Sequence, residues 1–118
     1  MFKKCIFILA TSCMMYSCTT QTETNPFLTE FQTEHGVPPF DKIKLEHYEP
    51  AFLKGIEEQN ANIDAIVNNS EAPTFENVIV ALDNSSPLLD RVSAIFYNMT
   101  EAETTDDLKE LSIKLAPT

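Results

Sequence analysis

The chain has 118 residues, which leaves room for one domain at most, and its formal net charge is −10 at pH 7. A surface of that sign argues against nucleic acid and against an anionic lipid surface as partners. All three cysteines lie within the first 18 residues, so the rest of the chain has no disulfide and no thiol nucleophile.

Residues 1–17 have the layout of a secretory signal peptide. Two lysines form a short basic region, an apolar stretch runs from Cys5 through Met15, and Ser17 directly precedes Cys18. This stretch is too short for a membrane-spanning helix, which needs about 20 apolar residues. A cysteine at this place is typical of a bacterial lipoprotein signal. We therefore expect an exported protein of the cell envelope, anchored on the periplasmic side by a lipid on Cys18.

The choice of Cys18 as the lipid anchor depends on the length of the apolar core. Met15 and Tyr16 stand where such signals usually carry Leu and a small residue, whereas Cys13 has better neighbours. Processing at Cys13 would leave a core of about eight residues, at the short end of the usual range. Cys13 is therefore the second choice, and an ordinary cleaved signal with an incidental cysteine is a further reading. Removal of residues 1–17 takes away two lysines and no acid, so the charge of −10 becomes −12.

Two non-helical stretches are predicted before the first helix. Residues 18–26 are polar without an apolar period and are expected to be a tether. A glycine and two consecutive prolines then exclude a regular helix up to about residue 43. We expect an extended strap there, whose aromatic side chains insert into a surface formed by later residues. These side chains are Phe27, Phe31 and Phe40.

Amphipathic helices are predicted for the remainder of residues 27–118. Pro50 suits the first turn of the first helix, Thr74 is placed to cap the second, and Pro87 breaks the second from the third. Thr104 or Thr105 caps the fourth. The predicted buried faces, in helix order, are Phe52/Ile56/Ile63/Val67, Phe75/Val78/Ile79/Leu82, Leu88/Val92/Ile95/Phe96/Met99 and Leu108/Leu111/Leu115.

The pattern therefore predicts an all-α fold of three or four amphipathic helices in antiparallel hairpins, with the proline-rich strap at the N-terminal side. No stretch has a confident strand pattern. A chain of about this length can bury only about two thirds of its surface, and the fourth helix ends before it has a partner. We expect an incomplete piece of a larger helical structure.

Four short motifs, in a fixed order and spacing, extend over most of the chain. They are His47-Tyr48 with Pro50-Ala51-Phe52, Pro73-Thr74-Phe75-Glu76-Asn77, Leu88-Leu89-Asp90-Arg91-Val92 and Thr100-Glu101-Ala102-Glu103-Thr104. Together they resemble the beginning of a peptidyl-dipeptidase of the thimet oligopeptidase and oligopeptidase A family of zinc metallopeptidases. The resemblance runs from about Asn25 to Ala116.

The resemblance implies a helical, clamshell-shaped enzyme several times longer than this chain, which releases dipeptides or cuts short peptides. Its zinc is held in the distant C-terminal half by an H-E-x-x-H helix, while the N-terminal helices form a wall of the substrate channel. Residues 27–118 would be a truncated N-terminal scaffold that lacks the C-terminal peptidase region. No catalytic or metal-binding residue carries over to this sequence, and no residue is indicated for substrate binding.

The two histidines and the paired acids are the residues that could suggest a site. His35 and His47 are 12 residues apart, and the sequence has no H-E-x-x-H and no third histidine. We interpret both as scaffold and expect no metal on this segment. The pairs Glu57-Glu58 and Asp106-Asp107 are interpreted as solvated, and the second complements a helix dipole.

A second reading assigns the chain to another class of protein. A small, non-catalytic lipoprotein could bind a peptide or a protein partner through an exposed apolar helix face. The two readings differ in whether the coding sequence continues beyond Thr118 toward an H-E-x-x-H motif.

Overall fold

The computed structural model describes residues 24–116, and its regular structure is helical with no strand in that range. The predicted all-α class is confirmed. The signal segment, Cys13, Cys18 and most of the predicted tether lie outside the described residues. The elements are two 3₁₀ turns (Pro26–Leu28 and Glu34–Gly36), α1 (Leu45–Val67), a π-helical segment (Phe75–Val80) that runs into α2 (Ala81–Asp83), α3 (Pro87–Ala102) and α4 (Asp106–Leu115).

Helix α1 begins at Leu45, so Pro50 lies in the second turn, and its predicted place in the first turn is wrong. The Lys44 N–H donates to Nδ1 of His47 at 3.0 Å, and the His47 N–H donates to the Lys44 carbonyl at 3.0 Å. The imidazole therefore closes the first turn in the way that a Glu or Gln side chain does in a capping box. Pro50 does not mark the first turn, because a proline in the second turn removes only one helical hydrogen bond.

The main packing of the fold is between α1 and α3. Gly55 lies at their closest approach, where a Cβ atom on this residue would be 2.9 Å from Cα of Leu89. The two backbones can meet so closely because Gly55 has no side chain. The buried apolar side chains are Phe27, Tyr48, Ala51, Phe52, Leu88, Val92, Ile95, Phe96 and Leu108.

The predicted face of α3 is confirmed, and the predicted face of α1 is only partly correct. In α3, four of the five predicted side chains are buried and Met99 packs at the edge of the core. In α1, Phe52 is buried and Ile56 and Ile63 are half-buried, but Val67 is 75% exposed. The apolar stripe of α1 extends beyond the part of the helix that α3 covers.

The predicted burial of the second helix is mostly wrong, because Val78 alone of its four predicted side chains is half-buried. Thr74 does cap the segment, since its Oγ1 accepts from the Asn77 N–H at 3.0 Å. However, Phe75, Ile79 and Leu82 are exposed by 65%, 51% and 51%. The segment has an apolar face, but no element within residues 24–116 covers these side chains.

The strap contributes two of its three predicted aromatic side chains to the core. Phe27 is fully buried and Phe31 packs against the core, whereas Phe40 is 53% exposed, so its predicted insertion is wrong. Phe40 lies in a tight turn in which the Lys42 N–H donates to the Pro39 carbonyl at 2.8 Å. This turn reverses the chain before α1 and leaves the Phe40 ring at the surface.

Helix α4 packs against the first turns of α1 and contributes one buried side chain. The Thr105 Oγ1 accepts from the Leu108 N–H at 3.3 Å, which confirms one of the two predicted caps. Leu108 is buried, and the Nζ of Lys114 lies 2.7 Å from Oε2 of Glu49 on α1. Leu111 and Leu115 are half-buried and pack against the core, so the predicted face of α4 is confirmed.

Candidate functional site

The two histidines lie in different environments and do not form a site together. His35 is exposed, has a positive φ of 60° in the second 3₁₀ turn, and lies 3.5 Å from a carboxylate oxygen of Glu34. His47 is buried, and its Nδ1 already accepts the Lys44 N–H. His47 therefore has a structural role at the start of α1, whereas His35 makes only an exposed contact with its neighbour.

Three of the four paired acids are exposed, Glu58 is half-buried, and one acid of each pair has a cationic neighbour. Oε2 of Glu57 lies 2.9 Å from Nζ of Lys54, and this pairing raises the pKa of the lysine. Oδ1 of Asp106 lies 3.2 Å from Nζ of Lys109, one turn further along α4. These are ordinary surface ion pairs, which contribute little to stability. Their geometry does not resemble that of a buried acid–base pair.

A ligand set for a metal ion is also missing from residues 24–116, which contain no group of three or more His, Cys, Asp or Glu side chains placed to hold an ion. The residues of this segment do not fit a structural or catalytic zinc site, each of which takes at least three protein ligands. Within the same range, no helix is both long and apolar enough to span a bilayer.

The best-defined polar arrangement joins the strap to the helices. Nη2 of Arg91 donates to the Phe27 carbonyl at 2.6 Å, and Cζ of Arg91 lies 5.3 Å from the centre of the Phe31 ring. Nδ2 of Asn25 donates to the His47 carbonyl at 2.7 Å. These contacts fix the strap across the start of α1 and the middle of α3.

Sequence reasoning did not identify Arg91 or Asn25 as strap contacts. Arg91 is the only arginine of the chain, and it belongs to one of the motifs that carried the family resemblance. A single arginine within a family motif could have indicated such a contact, because one guanidinium can hydrogen-bond a carbonyl and stack on an aromatic ring at the same time.

An aromatic cluster continues inward from this strap contact. The rings of Phe27 and Tyr48 are 5.2 Å apart, Tyr48 and Phe96 are 5.2 Å apart, and Phe96 and Phe52 are 5.4 Å apart. Burial raises the pKa of the Tyr48 phenol, and the negative charge of Glu103 raises it further. The cluster is the packed core of the fold.

An open cavity of about 430 Å³ lies between the start of α1 and α4. It is lined by Lys44, Leu45, Glu46, Glu49 and Leu111. Its polar groups are charged side chains at the rim, and Glu49 already pairs with Lys114. This cavity lacks the several convergent, buried polar groups that orient a small ligand.

The second surface feature is an apolar patch on the helical segment after α1. We define the outer face as the exposed side chains of Phe75, Ile79, Val80 and Leu82. All four lie within eight residues of one helical segment and are exposed by 40% or more, and exposed apolar patches are a mark of contact surfaces. The outer face is therefore the strongest candidate for an interaction site on residues 24–116.

Comparison with known proteins identifies relatives of the chain. No family model matches it. It is 44% identical over 88 residues to the dipeptidyl carboxypeptidase of Salmonella typhimurium and 43% identical over 90 residues to that of Escherichia coli. It is 30% identical over 87 residues to the oligopeptidase A of Escherichia coli.

These matches cover most of this chain and a small part of each relative. They include 75%, 76% and 74% of the chain, but only 13%, 13% and 12% of the three relatives. The chain thus spans about an eighth of the length of the curated proteins that it matches. The resemblance that was predicted from the four motifs is confirmed.

Proposed function

We propose that this chain, a homologue of dipeptidyl carboxypeptidase and oligopeptidase A, is an N-terminal segment of a longer peptidase that acts on short peptides. The observation that supports the proposal is the 44% identity to a dipeptidyl carboxypeptidase over 88 residues. Because the chain spans 13% of that relative, the activity is assigned to the longer polypeptide and not to these residues.

Within that enzyme, the segment would supply scaffold for a wall of the substrate channel. Residues 24–116 have no cluster of metal ligands, His47 caps α1, and His35 is exposed and part of no such cluster. A zinc ion of the longer enzyme would therefore be held by residues outside this segment.

The mass of the native protein tests this proposal. An antibody against residues 24–116 should detect a species several times heavier than the 13.3 kDa of this chain, and the coding sequence should continue to an H-E-x-x-H motif. A native species of 13.3 kDa or less would reject the longer peptidase.

An activity measurement tests the scaffold role separately. Residues 18–118 should release no dipeptide from a short peptide, with or without added zinc, because a zinc site needs at least three protein ligands. Activity that disappears when His35→Ala and His47→Gln are combined would show that the histidines act in catalysis. Glutamine is chosen at position 47 because its side chain can still accept the capping hydrogen bond.

Export and lipid anchoring form a second part of the proposal. The basic, apolar and cysteine-terminated pattern of residues 1–18 supports a lipid on Cys18. Radiolabelled palmitate should enter the protein in a bacterial host, and Cys18→Ala should prevent it. If the label is lost with Cys13→Ala and kept with Cys18→Ala, the lipid is attached to Cys13 and not to Cys18.

The exposed outer face favours one alternative function. A small lipoprotein without catalysis could use Phe75, Ile79 and Leu82 to bind a partner. The same mass measurement separates the two, since this alternative requires the short native species.

A further inference from the structure

The helical segment that carries the outer face is oriented with its larger apolar side chains away from α1. The side that faces α1 presents Asn77 and Ala81, which line an open cleft with Asn62 and Ala65 of α1. Phe75, by contrast, is 65% exposed. An amphipathic segment that packed only against α1 would show the reverse arrangement. The outer face therefore has the composition of a surface that packs against something else.

The charge around the outer face is of one sign. From residue 55 to residue 90 the sequence has seven acidic residues and no Lys, Arg or His. Three of the acids, Glu71, Glu76 and Asp83, lie on or next to the segment that carries the outer face, and all three are exposed. None of the three has an ion-pair partner within residues 24–116. A partner with Lys or Arg beside its apolar residues would satisfy both features.

The backbone of the segment decides which kind of element can pack there. Thr74 and Asn77 close its first turn by reciprocal hydrogen bonds, and the remaining peptide groups are bonded within the helix. No strand edge is presented within residues 24–116, so a partner strand could not extend a sheet. Phe75, Ile79 and Leu82, about one turn apart along this helical segment, instead present exposed apolar side chains against which a second helix can pack.

We propose that the outer face is the docking site of a basic amphipathic helix, which belongs to the remainder of the longer polypeptide. This inference rests on the proposed function, because the relatives have about seven eighths of their length outside the matched region. The length of the relatives indicates that this remainder covers the outer face. The negative charge around the outer face indicates that the docking helix is basic.

A pair of synthetic helices tests the chemistry of this surface. The first is an amphipathic peptide of about 18 residues, or five turns, made of Leu and Lys, and the second has Glu in place of every Lys. The full 118-residue chain should bind the Lys peptide, and binding should weaken as the salt concentration rises. Equal binding of both peptides would overturn the proposed role of the carboxylates.

Two matched variants locate the binding. Combined Phe75→Ser and Ile79→Ser should weaken binding of the Lys peptide at least about tenfold, since two large apolar contacts are lost. Ile113→Ser is the control, because Ile113 is 75% exposed on α4 and lies outside the outer face. Both changes are at exposed positions, so circular dichroism should show unchanged helix content. A larger loss with Ile113→Ser than with the double variant would overturn the assignment.

The native protein tests the source of the occupant. If the remainder of the polypeptide covers the outer face, the native-length protein should bind the Lys peptide at least about tenfold more weakly than the 118-residue chain does. Equal binding by both would show that the face is free in the native protein and would reject the intramolecular occupant. The mass measurement tests the longer peptidase independently, so failure of one proposal is distinguishable from failure of the other.

Discussion

At the scale of single residues, Gly55 decides how closely α1 and α3 can pack. A Cβ atom at this position would be 2.9 Å from both N and Cα of Leu89. Gly55→Ala should therefore force the helices apart. Overpacking of this kind costs about 1–3 kcal/mol, and alanine recovers about 1 kcal/mol of helix propensity. The difference is a net loss of about 0–2 kcal/mol, and because the obstructing atoms are backbone atoms that cannot rotate away, we expect the upper half of that range.

Hydrogen exchange of the amides in α1 and α3 measures this loss, since local opening free energies set the exchange rates. The Gly55→Ala protein should exchange about 5–30 times faster in both helices. Asn60→Ala is the control, because Asn60 is exposed on the same helix. Unchanged protection with Gly55→Ala would mean that the helices are not in close contact at this position.

Tyr48 makes the stability of the fold sensitive to alkaline pH. Burial and the charge of Glu103 raise the phenol pKa above the ordinary value of 10.0. In the unfolded chain the phenol loses its proton near that ordinary value, so stability is full below pH 10 and falls as the pH rises through the folded pKa. Helical circular dichroism should decline above pH 10, and Tyr48→Phe should reduce the decline. An identical decline in the variant would exclude Tyr48 as its source.

At the scale of elements, Arg91 should hold the strap on the helices. Its Nη2 donates to the Phe27 carbonyl at 2.6 Å, and its Cζ lies 5.3 Å from the Phe31 ring. A hydrogen bond to a charged group contributes about 1.5–3 kcal/mol. Arg91→Ala should therefore expose the strap to limited proteolysis near Phe31 while the helices stay intact. Arg91→Lys keeps the charge but loses the planar stacking group, so an intermediate cleavage rate is expected.

The elements also show where the sequence was sufficient to predict the structure. The face of α3 follows a regular 3.6-residue period, and the side chains predicted from it are buried or at the core edge. The segment from Phe75 has similar apolar spacing, but it forms a π-helix whose large side chains are exposed. Periodicity identifies an apolar face without identifying what covers it. The exposure of Phe75 could not be predicted for that reason.

The candidate site shows the same limit. The sequence predicted the first helix, but it did not indicate that the side chain of His47 caps the first turn of that helix. It did not indicate that the imbalance of charge and the exposed apolar side chains coincide around the outer face. That coincidence depends on which side of the Phe75 segment faces α1, and this orientation is a property of the packed structure.

At the scale of the whole molecule, the apolar surface exceeds what the small core can bury. Nine apolar side chains are buried in residues 24–116, whereas twelve large ones are at least 40% exposed. Each large side chain left in contact with water forfeits about 1.5–3 kcal/mol, against a typical domain stability of about 5–15 kcal/mol. We therefore expect residues 24–116 to have low stability in isolation, as a segment that packs against further parts of a larger protein would.

Residues 18–118 in isolation should accordingly behave as a loosely packed helical state. We expect helical circular dichroism, a broad thermal transition, binding of a hydrophobic dye and concentration-dependent self-association. The variant with Phe75→Ser and Ile79→Ser should bind less dye at unchanged helix content, because the outer face is a main exposed apolar surface, while Ile113→Ser should have a smaller effect. A monomer that melts cooperatively and binds no dye would contradict this prediction and would favour an autonomous binding protein over a segment of a larger peptidase.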